Sequence, residues 1–208
     1  MTDFGFYLVM TAPAAGYVRC AEAAVRAGVA VLQLRMKHVS EREMLSAARE
    51  VRAVTRGTGT LFIVNDNPSV AAAAGADGVH VGQGDMDVGE VRRTYPSIGI
   101  VGLSTHSMAQ MREAALREGP SRPDYVGVGP VFATPTKEIP DPVLTPRGAG
   151  EMIAASPFPA VAIGGINLSN IAQVKAAGAR NFAVVRPVCS AADPYAAICA
   201  LLEAWRAA

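Results

Sequence analysis

Two carboxylates are placed where they could share a metal ion. Asp66 lies just beyond an apolar run that ends at Val64, and Asp85 lies just beyond the next apolar run, residues 78–81. Carboxylates from neighbouring strand ends can hold one hard cation and leave its other coordination positions to water and a phosphate ligand. The pattern therefore predicts a Mg²⁺ site. The alternative is that Asp85 or Asp87 merely caps the helix that follows, because carboxylates are common near helix starts.

Cations accompany this pair. Arg35 and Lys37 are two residues apart, so both can project from the same side of an extended segment. Two cations there suit a phosphate or pyrophosphate, although an exposed basic pair before the next helix fits equally well. Lys137 stands in the longest irregular segment of the chain, together with Thr134 and Thr136. Long loops are candidate lids, but a solvated loop would have the same composition.

Further polar groups follow later apolar runs. Gly164 and Gly165, and then Arg186, occupy positions where many α/β barrels bind a phosphate through backbone N–H groups. Among neutral groups, Ser104 is free to hydrogen-bond a ligand. His106 could act as a base, but no strand-end carboxylate in the sequence clearly orients it. His80 lies inside a predicted strand and is interpreted as a satisfied core residue.

All these positions relate to eight apolar runs that predict strands. The runs do not alternate with polar residues, which is typical of strands buried on both faces of a parallel sheet. The predicted strands are Phe6–Met10, Val29–Arg35, Thr60–Val64, Gly78–Val81, Ile98–Leu103, Tyr125–Val128, Ala160–Ile163 and Phe182–Val185.

The segments between the runs carry helix-start signals. Ser40 with Glu43, and Ser107 with Gln110, match the capping-box pattern. An N-cap residue also precedes a proline three times, at Asn67, Thr145 and Asp193.

Eight strand–helix units predict an α/β fold, a single (β/α)8 TIM barrel spanning residues 1–208 with no second domain. A doubly wound sheet would show fewer strands and a glycine fingerprint after the first one, and none follows Met10. In a barrel, chemistry is expected at the C-terminal ends of the strands.

Composition excludes several classes of protein. Half of the 208 residues are hydrophobic, which excludes intrinsic disorder. With 19 basic and 18 acidic residues, nothing suggests a nucleic-acid or membrane partner. The uncharged stretch 152–174 is broken by prolines and glycines, so it is not a membrane helix. Three dispersed cysteines and an N-terminus without a basic and apolar leader favour the cytoplasm.

Taken together, these groups include a metal site and phosphate-binding residues but no convincing nucleophile. That combination suits a reaction in which pyrophosphate leaves while the protein positions two phosphorylated small molecules and stabilises charge.

Six segments of the chain resemble, in order and spacing, the motifs of the thiamine-phosphate synthase family. They are Gln33–Lys37, Val64–Asp66, Gly78–Asp85, Gly102–Ser107, Gly127–Lys137 and Ala162–Gly165. The resemblance covers essentially the whole chain. It implies a (β/α)8 barrel that joins a hydroxymethylpyrimidine diphosphate to a thiazole phosphate, giving thiamine phosphate and pyrophosphate.

The resemblance also implies a role for each matching residue. Asp66 and Asp85 match the Mg²⁺ ligands, and Arg35, Lys37, Ser104 and Lys137 match the catalytic positions. The pyrimidine diphosphate positions are Gln33, Leu34, Arg35, Met36, Lys37, Asn65, Ser104 and Lys137. The thiazole phosphate positions are Thr134, Pro135, Thr136, Gly165, Val185 and Arg186.

Three residues depart from the family pattern. Met36 stands where an acidic residue is usual, Asn67 where a second aspartate is frequent, and Arg186 where a small hydroxyl residue is usual. Arg186 leaves open a catalytically silent barrel that binds a thiamine precursor, and His106 leaves open the related thiazole tautomerase. Pro187 biases Arg186 toward an extended backbone. Whether the chain forms a homo-oligomer, and whether the thiazole is carboxylated, also stays open.

Overall fold

Eight parallel strands close into a barrel in sequence order, each pairing with the next and the last pairing with the first. The computed structural model describes residues 3–134 and 141–208. The strands are β1 (Phe6–Met10), β2 (Val31–Leu34), β3 (Leu61–Asn65), β4 (Gly78–Val81), β5 (Ile100–Thr105), β6 (Tyr125–Val128), β7 (Ala160–Ile163) and β8 (Asn181–Val184). The predicted (β/α)8 fold is confirmed.

Helices follow the strands and form the outer layer of the barrel. They are α1 (Tyr17–Arg26), α2 (Glu41–Thr55), α3 (Pro68–Ala74), α4 (Val88–Thr94), α5 (Met108–Ala115), a 3₁₀ turn (Gly119–Ser121), α6 (Thr145–Ala155), α7 (Ile171–Ala176), α8 (Arg186–Cys189) and α9 (Pro194–Ala207). Among the helices described, none is both long enough and apolar enough to cross a bilayer.

Two strands run further than the apolar pattern predicts. β3 includes Asn65, which pairs with His80, and β5 includes Ser104 and Thr105, which pair with β6. Pairing in a parallel ladder uses backbone groups, so it continues where the side chains turn polar. Polar residues at the ends of the apolar runs, such as Asn65 and Ser104, therefore belong to the strands. Backbone pairing fixes the direction of their side chains more firmly than a loop would.

Most of the predicted caps are present. Ser40 and Glu43 form the reciprocal capping box at the start of α2. Ser107 accepts from the Gln110 N–H, but the Gln110 side chain accepts from the N–H of His106 instead of that of Ser107, so this cap is one-sided.

A helix also begins at each of the three predicted sites where an N-cap residue precedes a proline. Asn67 accepts from the N–H of Val70 at 2.9 Å, and Asp193 accepts from two N–H groups of α9. Thr145 was expected just before α6 and is its first residue, and its hydroxyl accepts from the N–H of Gly148 at 3.4 Å.

Two layers of apolar side chains sandwich the barrel wall. Alternate strand residues point outward to the helices, as Leu32 and Leu34 do, or inward to the barrel axis, as Val31 and Gln33 do. The inner cluster is small, so the interior has room for polar side chains near the C-terminal ends of the strands.

Candidate active site

A cavity of about 550 Å³ opens at the C-terminal ends of the strands, where the sequence predicts the chemistry. Eight predicted site residues line it: Gln33, Arg35, Asn65, Ser104, Thr134, Gly165, Val185 and Arg186. They come from the ends of β2, β3 and β5 and from the segments after β6, β7 and β8. The barrel thus gathers in one place eight of the thirteen predicted site residues that the structure describes.

Other predicted residues lie elsewhere. The Leu34 side chain is completely buried between the barrel wall and the helices, and Met36 packs against the same layer. Their side chains cannot reach the cavity, because residues of a strand alternate between its two faces. Any contact they make with a ligand is therefore through the backbone. Pro135, Thr136 and Lys137 lie outside the described residues.

The predicted metal ligands lie together immediately after β3 and β4. The Asp66 carboxylate is close enough to Asp85 to influence its ionisation, and it accepts a hydrogen bond from the ammonium of Lys37. The N–H of Gly82 donates to Asp85 at 2.7 Å. Asp85 therefore does not cap the next helix. Asp87 does so, through the N–H of Gly89 at 2.8 Å.

The electrostatics of this pair call for a cation. Burial first, and then the neighbouring Asp66 carboxylate, raise the pKa of Asp85 above its ordinary value. Neighbouring carboxylates repel each other unless a proton or a cation is shared between them. The oxygen donors suit a hard divalent ion, which needs few protein ligands when a diphosphate supplies the rest. The residues present fit the predicted Mg²⁺.

Backbone geometry aims Asp66 at this position. Its φ is +60°, which is uncommon for a residue with a Cβ, and the N–H of Asn67 donates to the carbonyl of Asn65 at 2.8 Å. That bond closes a tight three-residue turn around Asp66, a strained conformation. The Asp66 N–H still extends the ladder by donating to the His80 carbonyl at 2.8 Å.

Two arginines point unpaired charge at the cavity. Arg35 is half-buried after β2, and Arg186 is exposed at the start of α8. Since β2 and β8 both pair with β1, these side chains flank one side of the opening. No acceptor in the described part of the chain binds either guanidinium. The expected extended backbone at Arg186 is wrong, because the chain turns into α8 there and the Arg186 carbonyl accepts from Ser190.

The consecutive glycines serve a close approach between two segments of the chain. Gly164 and Gly165 have φ values of +104° and +65°. A Cβ on Gly164 would lie 2.5 Å from the Cα of Pro130, and one on Gly165 would lie 2.7 Å from the carbonyl of Ala133. The glycines therefore let the segment after β6 lie directly on the segment after β7, where both line the cavity.

A chain of hydrogen bonds crosses the barrel beneath the cavity. The Gln33 amide nitrogen donates to the Tyr7 hydroxyl at 2.6 Å, and the two tyrosine hydroxyls of Tyr7 and Tyr125 are 2.9 Å apart. Tyr125 lies 3.0 Å from His80 Nδ1, and His80 Nε2 lies 2.9 Å from Ser104 Oγ. The interpretation of His80 as a satisfied interior residue is thus supported.

Tyr7 and Tyr125 are not among the site residues that the sequence predicts. The available signal was their position at inward-facing places in two predicted strands, where an apolar residue would otherwise pack. Burial raises the pKa of both phenols above the usual range, so both stay protonated and can donate hydrogen bonds.

His106 does have partners that orient it. Its Nδ1 lies 2.7 Å from the carbonyl of Gly129 and 3.6 Å from a carboxylate oxygen of Asp141. The carboxylate that approaches it does not come from a strand end, because Asp141 lies between β6 and α6. A carbonyl can only accept, so Nδ1 carries a proton and the other ring nitrogen remains available to the cavity.

The chain is similar to proteins of one family over most of its length. The sequence profile of the thiamine monophosphate synthase family matches residues 6–188. Thiamine-phosphate synthase of Laribacter hongkongensis is 43% identical over 94% of this chain and 92% of its own length. The enzyme of the same name from Methanoculleus marisnigri is 45% identical over 85% of this chain and 82% of its own.

Solved structures are similar as well. Thiamine phosphate pyrophosphorylase from Pyrococcus furiosus has a TM-score of 0.85 and 30% identity, and the match covers 99% of this chain and 97% of that one. A 3-hexulose-6-phosphate synthase has a TM-score of 0.67 at 19% identity over 95% and 99% of the two chains, a likeness that concerns the fold alone.

Proposed function

This chain belongs to the thiamine monophosphate synthase family, and on that premise we propose that its cavity joins a hydroxymethylpyrimidine diphosphate to a thiazole phosphate and releases pyrophosphate. The observation that supports it most directly is the Asp66–Asp85 pair beside a cavity that Arg35 enters unpaired. A carboxylate pair and a free cation at one opening match a ligand that brings both a divalent ion and a diphosphate.

The diphosphate half of the reaction is assigned to the ends of β2, β3 and β4. Arg35 and Lys37 supply positive charge where the diphosphate gains negative charge as its carbon–oxygen bond breaks. Asp66 and Asp85 are the residues that would hold Mg²⁺, which when bound supplies Lewis-acid stabilisation of the leaving pyrophosphate. Lys37 balances Asp66, so it orients the carboxylate as well as the substrate. Lys137 remains a predicted closing residue.

The thiazole half is assigned to the segments after β6, β7 and β8. Thr134, Gly165 and Val185 line that part of the cavity, and Arg186 stands at its rim. Positioning both substrates in one cavity converts a bimolecular encounter into an intramolecular one, which is a large part of what a condensing enzyme contributes.

One observation favours the rival tautomerase reaction. His106 is oriented by Gly129 and Asp141 and lines the cavity, as a proton-transferring base should. A tautomerase, however, has no departing pyrophosphate to stabilise, so it gives no role to the pair of carboxylates or to Arg35. The silent barrel is disfavoured because Arg186 leaves the cavity open.

A single incubation separates these functions. The purified protein with both phosphorylated substrates and Mg²⁺ should form thiamine phosphate and an equal amount of pyrophosphate. Isomerisation of the thiazole without pyrophosphate release would establish the tautomerase, and binding of a substrate without turnover would establish the silent barrel.

We place this reaction in the cytoplasm, and the cysteines support that location. Cys20, Cys189 and Cys199 are free thiols, and the first two are buried. A reduced compartment keeps such thiols intact. Fractionation of the producing cell, followed by immunodetection of the protein, tests the location.

A further inference from the structure

We propose that Tyr7, Tyr125 and His80 are positioning residues that fix the donor and acceptor directions of Gln33 and Ser104 and so select a pyrimidine with an exocyclic amine. The inference rests on the proposed function, which supplies the aminopyrimidine. It concerns the hydrogen-bond chain beneath the cavity, which runs from β2 through β1, β6 and β4 to β5.

The first link favours one direction for the chain. The Gln33 amide nitrogen can only donate, so the Tyr7 hydroxyl accepts from it at 2.6 Å. In the arrangement proposed, Tyr7 donates its single proton to Tyr125, 2.9 Å away, and Tyr125 donates to His80 Nδ1, 3.0 Å away. Each phenol oxygen then accepts one hydrogen bond and donates one, so neither buried hydroxyl proton is left without an acceptor.

The tautomer of His80 is the next consequence. Since Nδ1 accepts from Tyr125, a neutral His80 carries its proton on Nε2 and donates to Ser104 Oγ at 2.9 Å. Nε2 in that state cannot take a proton from Ser104, so the Ser104–His80 pair is not a nucleophile and its base. Ser104 instead keeps its own proton for a ligand.

The two ends of the chain therefore present opposite groups to one cavity. The side-chain nitrogen of Gln33 donates to Tyr7 beneath the cavity, so the side-chain oxygen of Gln33 is left to accept a hydrogen bond from a ligand. Ser104 offers its hydroxyl to the same cavity as a donor. A 4-aminopyrimidine offers an N–H donor beside a ring-nitrogen acceptor. A 4-oxopyrimidine offers a carbonyl at the amine position, and that oxygen would face the Gln33 oxygen with no proton between them.

The barrel is packed to hold this arrangement. Tyr7 and Tyr125 are at most 2% exposed, and the Phe4 ring lies edge-on to both, with centroids 6.2 and 6.3 Å away. A Cβ on Gly102 would lie 2.2 Å from Tyr125 Cζ, so a glycine is required opposite the ring. The two tyrosine rings are thus held by close packing against Phe4 and the backbone at Gly102.

The first test reads the tautomer without any substrate. In ¹⁵N-labelled protein, His80 should show a protonated Nε2 and an unprotonated Nδ1, with its signals assigned by their loss in His80→Gln. Tyr125→Phe removes the donor to Nδ1, so the preference for this tautomer should weaken. A wild-type His80 protonated on Nδ1 would mean that the chain runs the other way and would overturn the proposal.

The second test measures selectivity. Binding of 4-amino-2-methyl-5-hydroxymethylpyrimidine diphosphate and of its 4-oxo analogue is titrated with Mg²⁺ present. Tyr7→Phe frees the Gln33 amide to turn, so the preference for the amine should fall about tenfold, the size of one lost hydrogen bond. Tyr195→Phe, which removes a hydroxyl on α9 outside the cavity, should keep the preference.

A merely structural role for Tyr7 would weaken both ligands equally, and an unchanged ratio would overturn the proposal. If Tyr7→Phe does not fold, the ratio is measured on Tyr125→Phe, which breaks the next link. Failure of the proposed function is distinguishable, because a protein that forms no thiamine phosphate can still show the His80 tautomer. Turnover with a His80 protonated on Nδ1 would defeat this inference alone.

Discussion

Asp66 illustrates how single residues combine strain with chemistry in this site. Its φ of +60° places the carboxylate against Asp85, in a turn that costs about 1–3 kcal/mol relative to relaxed backbone. Aspartate tolerates this region better than alanine does, because its short polar side chain can hydrogen-bond locally. Function and strain can therefore be separated by the choice of substitution.

Asp66→Asn tests the metal-binding role with little change in backbone preference. Removing one of two carboxylates should lower kcat by about 100-fold or more, because the leaving diphosphate loses its Lewis acid. The measurement is pyrophosphate release over a Mg²⁺ titration. Full activity of Asp66→Asn in EDTA would refute the role.

The strain itself is measured by a matched pair of variants. Asp66→Ala and Asp66→Gly both lack the carboxylate, but only glycine accepts a positive φ freely. Asp66→Gly should be the more stable of the two by about 1–2 kcal/mol in urea unfolding. Equal stability would mean that the turn relaxes when the carboxylate is removed.

Arg186 should act on the thiazole phosphate. Its unpaired guanidinium stands at the cavity rim, and a charged hydrogen bond contributes about 1.5–3 kcal/mol. Arg186→Ser should therefore raise the KM for thiazole phosphate roughly tenfold or more while kcat is kept. Arg180→Ser, which removes an arginine paired with Asp3 before β8, is the control. An unchanged KM would place the side chain elsewhere, and a large gain in kcat would show that Arg186 obstructs the site.

Prediction from sequence worked at this scale for residues with a recognisable chemical type. Arg35, Asn65 and Ser104 reached the cavity because each is a polar residue at or just beyond a strand end whose side chain faces the barrel axis. Tyr7 and Tyr125 could not be found that way, since a tyrosine in an apolar run looks like core until its neighbours are known. Asp141 was missed because its approach to His106 depends on a long segment.

At the scale of elements, the local sequence patterns were sufficient to identify the strands and helices but not the residues at which they end. Apolar runs predicted all eight strands, and the bounds of β1, β4, β6 and β7 agree with the structure. The ends of β3 and β5 differ because ladder pairing to β4 and β6 continues beneath polar side chains. Pairing partners are a property of the closed barrel, and no single segment contains that information.

The capping box of α2 makes stability depend on pH. The hydroxyl and the N–H of Ser40 both donate to the Glu43 carboxylate, at 2.7 and 2.9 Å, and they hold the pKa of Glu43 below its usual 4.5. A lowered folded-state pKa means stabilisation above the unfolded pKa, lost as pH falls through the folded value. Glu43→Gln keeps the hydrogen-bond pattern without the charge.

Urea midpoints of the wild type and Glu43→Gln should therefore differ at neutral pH and converge as the pH falls well below 4.5. The wild type should be the more stable protein at neutral pH, because the carboxylate also lies at the positive end of α2. A difference that stays constant across this range would show that the charge of Glu43 contributes nothing.

At the scale of the whole molecule, closing the ring is what creates the site. The cavity takes side chains from the first, second and eighth strands, and these are brought together only when β8 pairs with β1. Helix α9 packs between α1 and α7 and covers that seam. A sequence can indicate eight strand–helix units, but the seam, which is the junction of β1 with β8, forms only when the first and last strands of the chain meet.

The Phe182 side chain packs against both β1 and α9, so it links the β1–β8 junction to the outer layer of helices. It is fully buried on β8, stacks on Phe6 of β1 with centroids 4.8 Å apart, and lies 4.5 Å from the ring of Trp205 on α9. Phe182→Leu removes both ring contacts and should destabilise the protein by about 1–3 kcal/mol. Leu116→Ala, at an 81% exposed position, should change stability by no more than about 0.5 kcal/mol.

Two probes then decide whether the seam opens alone. Trp205 is the only tryptophan, so its fluorescence reports the docking of α9, whereas far-UV circular dichroism reports the whole barrel. Because one continuous apolar layer joins the strands to the helices, Phe182→Leu should lower both unfolding midpoints together. A fluorescence transition that moves to lower urea while the circular dichroism transition stays in place would mean that α9 detaches first, leaving the barrel folded with its seam exposed.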